Sequence, residues 1–370
     1  MDIKRKKPGI TGVWIAGGIV LSIHFLAGSF APGAEWTNEG ADNLWHTPEN
    51  WNTGEVPDGG ELARINRAGD NRAVLQDNAQ ASYMRVGQGK GKTGELNIRA
   101  NLRLDDRHQD TQIGMDSGTG KVKQGAGTFK MYWKKLVIGS GGSPGKGVWH
   151  INGGRLHVVR GGLYLGDNSG ATGRINITGG NLNTRKRVQI SSSGTFHVAG
   201  SDIDGINIGS GAGSSVHWKQ ADGGTLEIGI DAGGVTPIEI ASGKDVNFEE
   251  GALLDVGFLD GTERVGSWDV ITWTGKLTDN GLCFAATVEK DMWNFEFVDT
   301  EDNGSPDTLR VCAVPDRSER VGYVKKLSGE VPDKAVRSLV QVLKAEKLED
   351  RLAAVETLKE MGAEAAPALS

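Results

Sequence analysis

The residues with the most chemical potential in this chain lie in short, glycine-rich stretches. GQGKGKT at 87–93 has the composition of a phosphate loop. Such a loop needs a glycine five residues ahead of its Gly-Lys-Thr, so that successive N–H groups cradle the phosphates. That place holds Val86, and the stretch reads as a turn. DTEDNG at 299–304 puts Asp299, Glu301 and Asn303 at alternating positions with Gly304 behind them, as a calcium loop does. The twelfth position, where a bidentate glutamate belongs, is Arg310, so a hairpin tip is the reading. DDRHQD at 105–110 is a second acidic cluster, interrupted by Arg107. His150 and His157 stand seven apart around Gly153 and Gly154, a spacing that does not make a ligand pair. No zinc signature is present, and neither a metal nor a cofactor is expected.

Cations are the more promising set. Arg155, Arg160, Arg174, Arg185, Lys186 and Arg187 recur over 33 residues and are candidates for holding an anionic glycan. Cleaving one is a different matter. Glycan-cleaving sites gather carboxylates, or a base with a metal ion, on one face. Residues 83–190 carry six acidic side chains, and Asp105, Asp106 and Asp110 share one loop. An arginine can serve as base in lyases, which keeps an enzyme as the alternative; a non-catalytic protein is the expectation.

Positioning these residues falls to a repeat. Over 83–229 an aliphatic residue followed by glycine recurs, as Val86-Gly87, Ile113-Gly114, Ile138-Gly139 and Leu165-Gly166, with spacings of 27, 25 and 27. The series continues to Ile190-Ser191, then less evenly to Ile208-Gly209 and Ile228-Gly229. Between these rungs the pattern has period two: Trp149 and Ile151 share one face, Val148 and His150 the other. Likewise Ile175 and Ile177 oppose Arg174, Asn176 and Thr178. Glycine is 56 of 370 residues with only 10 prolines and no Gly-X-Y period, so it marks corners rather than collagen. The turns are too short for crossover helices. A mainly β fold follows: a right-handed parallel β-helix of about 25 residues per coil, with three strands per coil or two longer ones. A sandwich of hairpins is the rival and would need two-residue turns.

Ahead of the coils, residues 35–82 hold Trp36, Trp45 and Trp51, which suit a cap over the open end of the first coil; stacking on sugar rings is the other use for them. The pattern Trp45, Asn50, Trp51, Gly54, Val56, Pro57, Ala63, Ile65, followed by glycine-cornered coils, resembles exported β-solenoid proteins of planctomycetes and their relatives. These are similar to autotransporter-associated β-strand repeat proteins and to surface proteins with PEP-type sorting tails. The resemblance covers roughly 35–314 and implies an exported surface or adhesive protein without defined catalytic residues. The chain departs from it in having no Val-Pro-Glu-Pro and no final hydrophobic helix.

The remaining segments set location and partners. Lys4, Arg5, Lys6 and Lys7 precede an apolar run at 10–31, which reads as a signal peptide within 1–34, or as an uncleaved anchor. In an exported chain Cys283 and Cys312, both in strand-like runs, are candidates for a disulfide between neighbouring strands. Residues 242–314 read as closing strands and an antiparallel cap around Trp268, Trp273 and Trp293, and 315–330 as a linker. Residues 331–370 have helical period. Arg351, Ala354, Leu358, Gly362, Ala366, Pro367 and Leu369 resemble a HEAT-type repeat, with Asp350 off pattern, which implies a protein partner.

Charge is unevenly spread. The net value is −6, yet residues 85–187 carry 18 Lys and Arg against 6 Asp and Glu, a balance of +12, while 202–310 carry 6 against 21, a balance of −15. The basic stretch suits an acidic polysaccharide or the cell envelope; no nucleic-acid partner is expected.

Overall fold

The computed structural model describes residues 33–313 other than 142, 167–169, 212–215, 263 and 290–291. Residues 1–32, nearly all of the leader expected at 1–34, and residues 314–370, with the expected linker at 315–330 and helical repeat at 331–370, lie outside the described residues.

The described chain winds into a β-solenoid of about nine turns. Three strands make a coil, one on each of three faces. In one coil these are Tyr83–Gln88, Thr93–Ile98 and Leu102–Leu104; in the next, Thr111–Met115, Thr119–Gln124 and Thr128–Met131. The second and third faces can also run through a single long strand, as in Lys146–Val158 and Thr172–Thr184. Each strand pairs in parallel with the equivalent strand of the next coil, so the rival hairpin sandwich does not form. The rungs stand one above another on the first face: Ile65, Val86, Ile113, Ile138, Leu165 and Ile190 are successive register partners, and all are fully buried. Period two does the rest. Every second side chain enters a narrow interior, and each Leu or Ile placed there contributes about 1.5–3 kcal/mol.

Glycine is required where a strand leaves the first face. Gly114 has φ +69°, and a Cβ there would collide with the Lys146 carbonyl of the coil above. Gly154 does the same service between the second and third faces, with φ +69° and the Gly127 carbonyl in the way of a side chain. The register shifts around Asn152 mark that corner as a bulge.

The repeat read from the sequence needs one correction. Ile208 and Ile228 are not rungs of the first face. Ile208 pairs with Thr184 and Ile240 on the third face, and Ile228 with Val198 and Val256 on the second. After Ile190 the first-face column continues to Gln220 and Phe248. Gln220 is tolerated inside because its amide donates to the Gly224 and Leu253 carbonyls at 2.8 and 2.7 Å. Parallel stacking also reaches beyond the coils expected between the cap at 35–82 and the closing strands at 242–314, from Ala34–Glu35 and Leu62–Ile65 to Leu277–Asp279.

Both ends are closed. Trp36, Trp45 and Trp51 are at most 2% exposed and pack edge to face, with ring centroids 5.2 and 4.8 Å apart. The Trp36 indole N–H donates to the Asn71 carbonyl and that of Trp51 to the Trp45 carbonyl. They form the expected cap, and rings buried this deeply offer no face to a sugar. At the other end Gly266–Thr272, Thr308–Ala313 and Trp293–Val298 form an antiparallel cap, with Trp273 and Trp293 buried and Trp268 packed against Trp293 and Phe258.

Candidate anion-binding corner

The corner between the third face and the first face of the next coil collects the cations. Its segments follow Leu102–Leu104, Thr128–Met131, Lys146–Val158 and Thr172–Thr184 in successive coils. Backbone bonds hold the segments in one column: the Tyr132 N–H donates to the Leu104 carbonyl, Val159 to Met131, and Arg185 to Val158. Counted from the register partners Leu104, Met131, Val158 and Thr184, Trp133, Arg160 and Lys186 stand at the same place, Arg107 one residue later and Arg185 one earlier, so all five reach the same edge.

Trp133 is the centre of this column. The Arg160 guanidinium lies 3.9 Å from its ring centroid and the Arg107 guanidinium 4.7 Å. Cations on an aromatic face are held by the ring quadrupole without being neutralised. The Lys135 ammonium lies 4.4 Å from the Tyr164 ring, which stands on the first face beside the same corner. Gly161 and Gly162 let the chain turn there: a Cβ on Gly161 would strike the Lys134 carbonyl, and one on Gly162 would press the Tyr164 ring at 3.0 Å. In the coil after, buried Thr184 donates its hydroxyl to the Lys186 carbonyl at 2.7 Å, which fixes the turn carrying Arg185 and Lys186 outward.

The carboxylates nearby are occupied with shaping the loop. Burial pushes the Asp106 carboxyl up, but hydrogen bonds from the His108 N–H, the Ser82 hydroxyl and the Gln109 N–H outweigh it and hold the group below its ordinary value. Asp110 accepts from the Lys135 N–H at 3.0 Å. Asp105 pairs with Arg103. Among the described residues, Arg107, Lys134, Lys135, Arg160, Arg185 and Lys186 enter no ion pair. Neighbouring coils are about 4.8 Å apart. Positive charges at that spacing raise the local potential and favour any polyanion laid along the axis.

The six cations singled out in the sequence therefore divide. Arg160, Arg185, Lys186 and Arg187 share the corner. Arg155 is exposed on the third face. Arg174 is on the second face, where it forms an ion pair with Glu227 and donates to Asn176 Oδ1 at 2.6 Å. Sequence reasoning passed over Arg107, Trp133 and Lys135. A signal for them existed: Trp133, Arg160 and Arg185 each stand five residues before their rungs Ile138, Leu165 and Ile190, and Arg107 six before Ile113.

The second face carries a polar row of its own. Asn176 Oδ1 lies 3.1 Å from His197 Nδ1, and Asn176 Nδ2 lies 3.2 Å from His150 Nδ1. With Arg174 donating to that same oxygen, the amide orientation is set. His197 then carries its proton on Nδ1, and His150 accepts there. Burial, and after it Lys121, Lys123 and Arg174, push the His150 pKa below 6.5. Burial lowers His197 too, against Glu227. His157 belongs to neither set: it faces outward on the third face, so the two histidines flanking Gly153 and Gly154 sit on different faces.

The remaining motifs resolve into local structure. GQGKGKT is the turn between Tyr83–Gln88 and Thr93–Ile98. Asp299 accepts from the Asn303 and Gly304 N–H groups and so closes its own hairpin tip. The disulfide expectation is corrected. Cys283 pairs with Leu253, whereas Cys312 lies in a strand flanked by Gly266–Thr272 and Trp293–Val298, so the two strands are not neighbours and both thiols are free. Burial, followed by the Glu296 charge, pushes the Cys312 thiol up to about 12 and keeps it unreactive.

In comparison with known proteins, no family model, no curated protein and no solved structure matches the chain.

Proposed function

We propose that this is an exported, non-catalytic surface or matrix solenoid that holds an acidic polysaccharide of the cell envelope along its basic corner. The observation that carries the reading is the edge that gathers Arg107, the Trp133 ring, Arg160, Arg185 and Lys186 over four successive coils, its cations free of ion pairs among the described residues. A polymer with regularly spaced carboxylates or sulfates meets at least one cation in each coil: Arg107, then Lys134 and Lys135 beside Trp133, then Arg160, then Arg185 and Lys186. Short corner segments anchored at both ends by paired strands hold those cations, so little ordering cost falls on binding. Kinship with autotransporter-associated repeat proteins or PEP-type surface proteins, export by the leader at 1–34, and protein contacts through a HEAT-type tail at 331–370 belong to the same proposal; they rest on sequence pattern.

The test is binding of the purified full chain to immobilised polyuronate and sulfated glycan at low and raised salt. Retention that falls steeply with ionic strength, with neutral glucan unbound, is the expected result. Equal retention of neutral and acidic glycans would overturn it. Release of unsaturated oligosaccharides from a polyuronate would move the protein to the alternative, a lyase, with attention turning to His197 and Arg174. Cell fractionation with N-terminal sequencing of the mature form checks export.

A further inference from the structure

The third face has a symmetry of charge that the polymer reading does not use. Its outward column runs, one residue per coil, Arg103, Lys130, His157, Asn183, Asn207, Glu239. Beside it runs a second outward column, Thr128, Arg155, Asn181 and Gly205, with Asp204 inserted next to Gly205 where the register shifts. Asn181 and Asn183 divide these columns. One coil before them stands Arg155, and one coil after stands Asp204. Two coils before stands Lys130, and two coils after stands Glu239.

Arg155, Asp204 and Glu239 are exposed, and Lys130 is half-buried against the Tyr132 ring at 4.7 Å. Among the described residues none of the four enters an ion pair. Elsewhere on the coils, facing charges are paired within the chain, as Lys123 is with Glu95 and Arg174 with Glu227. Glu239 lines a groove with Asn207, Ser210, Ser242 and Thr272.

We propose that a second copy of this chain docks on the third face, antiparallel, about a two-fold axis lying along the segment from Asn181 to Asn183. That operation keeps each column on itself and reverses the coil order. It sets Lys130 of each copy opposite Glu239 of the other, and Arg155 opposite Asp204. The contact is the same on both sides, so it closes as a dimer and does not propagate. From Lys130 to Glu239 the patch is about 20 Å long at 4.7–4.9 Å per coil. That is small for a stable complex, so the pairing is weak and its strength is mostly charge. The proposal goes beyond the polymer reading and does not depend on it: Lys130, Arg155, Asp204 and Glu239 are none of the cations gathered around Trp133, although the groove beside Glu239 reaches the upper corner.

The experiment is sedimentation velocity on the purified full chain with no polysaccharide present. At low ionic strength a concentration-dependent dimer is expected, dissociating as salt is raised, with about a tenfold or greater fall in the association constant. K130E alone and E239K alone each place like charges in apposition and leave the chain monomeric. Because the contact is two-fold, K130E/E239K together restores opposite charges and the dimer. Circular dichroism of each variant establishes that the solenoid is intact; both sites face outward. A wild-type chain that stays monomeric at low salt, a dimer indifferent to salt, or a double variant that fails to regain association while remaining folded would each overturn the proposal.

Discussion

The corner that carries Arg107, Trp133, Arg160 and Arg185 continues up the molecule, and its two halves differ. In the upper half the same path holds Gly209 and Ser210, then Ala241 and Ser242, then Trp273 and Thr274. Backbone connections are alike: the Gly209 N–H donates to Thr184 as the Arg185 N–H does to Val158, and the Ala241 N–H donates to Ile208. One half clusters arginines on an aromatic ring; the other carries serine and threonine with single lysines, Lys244 and Lys276, and opens onto a groove beside Glu239. The interior ladder and the glycine turns sustain the coil in both. What the corner binds is therefore set by side chains that the fold does not need.

That contrast can be broken most severely from the inside. Gly114→Val, at the turn out of the first face, puts a Cβ into the Lys146 carbonyl and requires a φ that valine strongly disfavours. Loss of the cooperative thermal transition, read by circular dichroism, is the expected outcome. Ile138→Ala keeps the turn and removes one rung; a loss of about 2–5 kcal/mol in denaturant unfolding is expected.

Corner changes should leave stability nearly untouched and move binding instead. Arg160→Glu with Arg185→Glu is expected to weaken acidic-glycan retention by about tenfold or more, with thermal unfolding within roughly 0.5 kcal/mol of wild type. The converse sharpens the comparison. Ser210→Arg with Ser242→Arg extends the cationic column into the upper half, and a smaller gain, about threefold, is expected at low salt. If the reversal at 160 and 185 leaves retention unchanged, the corner is not the site.

Acidification gives the smallest effect. His150, His157 and His197 all have pKa values lowered in the fold, burial being the first cause. Between 6.5 and those lowered values the unfolded chain binds more protons than the folded one, so stability falls as pH drops through that window. A modest decrease in melting temperature from pH 7 to pH 5, reduced by His197→Gln, is the outcome to look for.

The coil period was legible because rungs from Val86 to Ile190 are aliphatic, end in a turn residue and recur at near-constant spacing. It ceased to be legible above Ile190 for two physical reasons. An aliphatic residue before a glycine marks the end of a strand on any face, so Ile208 and Ile228 imitate rungs. The true successor, Gln220, is polar, and its fitness for the interior depends on carbonyls of Gly224 and Leu253 that only the fold brings near. The corner was half legible. Arg160 and the run 185–187 announce themselves by charge, but Trp133 gains meaning only from guanidinium groups 26 and 27 residues away in sequence. The pairing of Cys283 with Cys312 failed because strand-like runs alone do not say which strands adjoin.

The tryptophan plug has a consequence beyond packing. A stack of parallel coils is a surface onto which another extended chain can add, the growth step of a cross-β fibre. Trp36, Trp45 and Trp51 make the first coil a dead end for such accretion. Cutting Trp51 back to alanine would do more than loosen one terminus: it would uncover a seed, and fibre growth monitored by an amyloid-binding dye would report it.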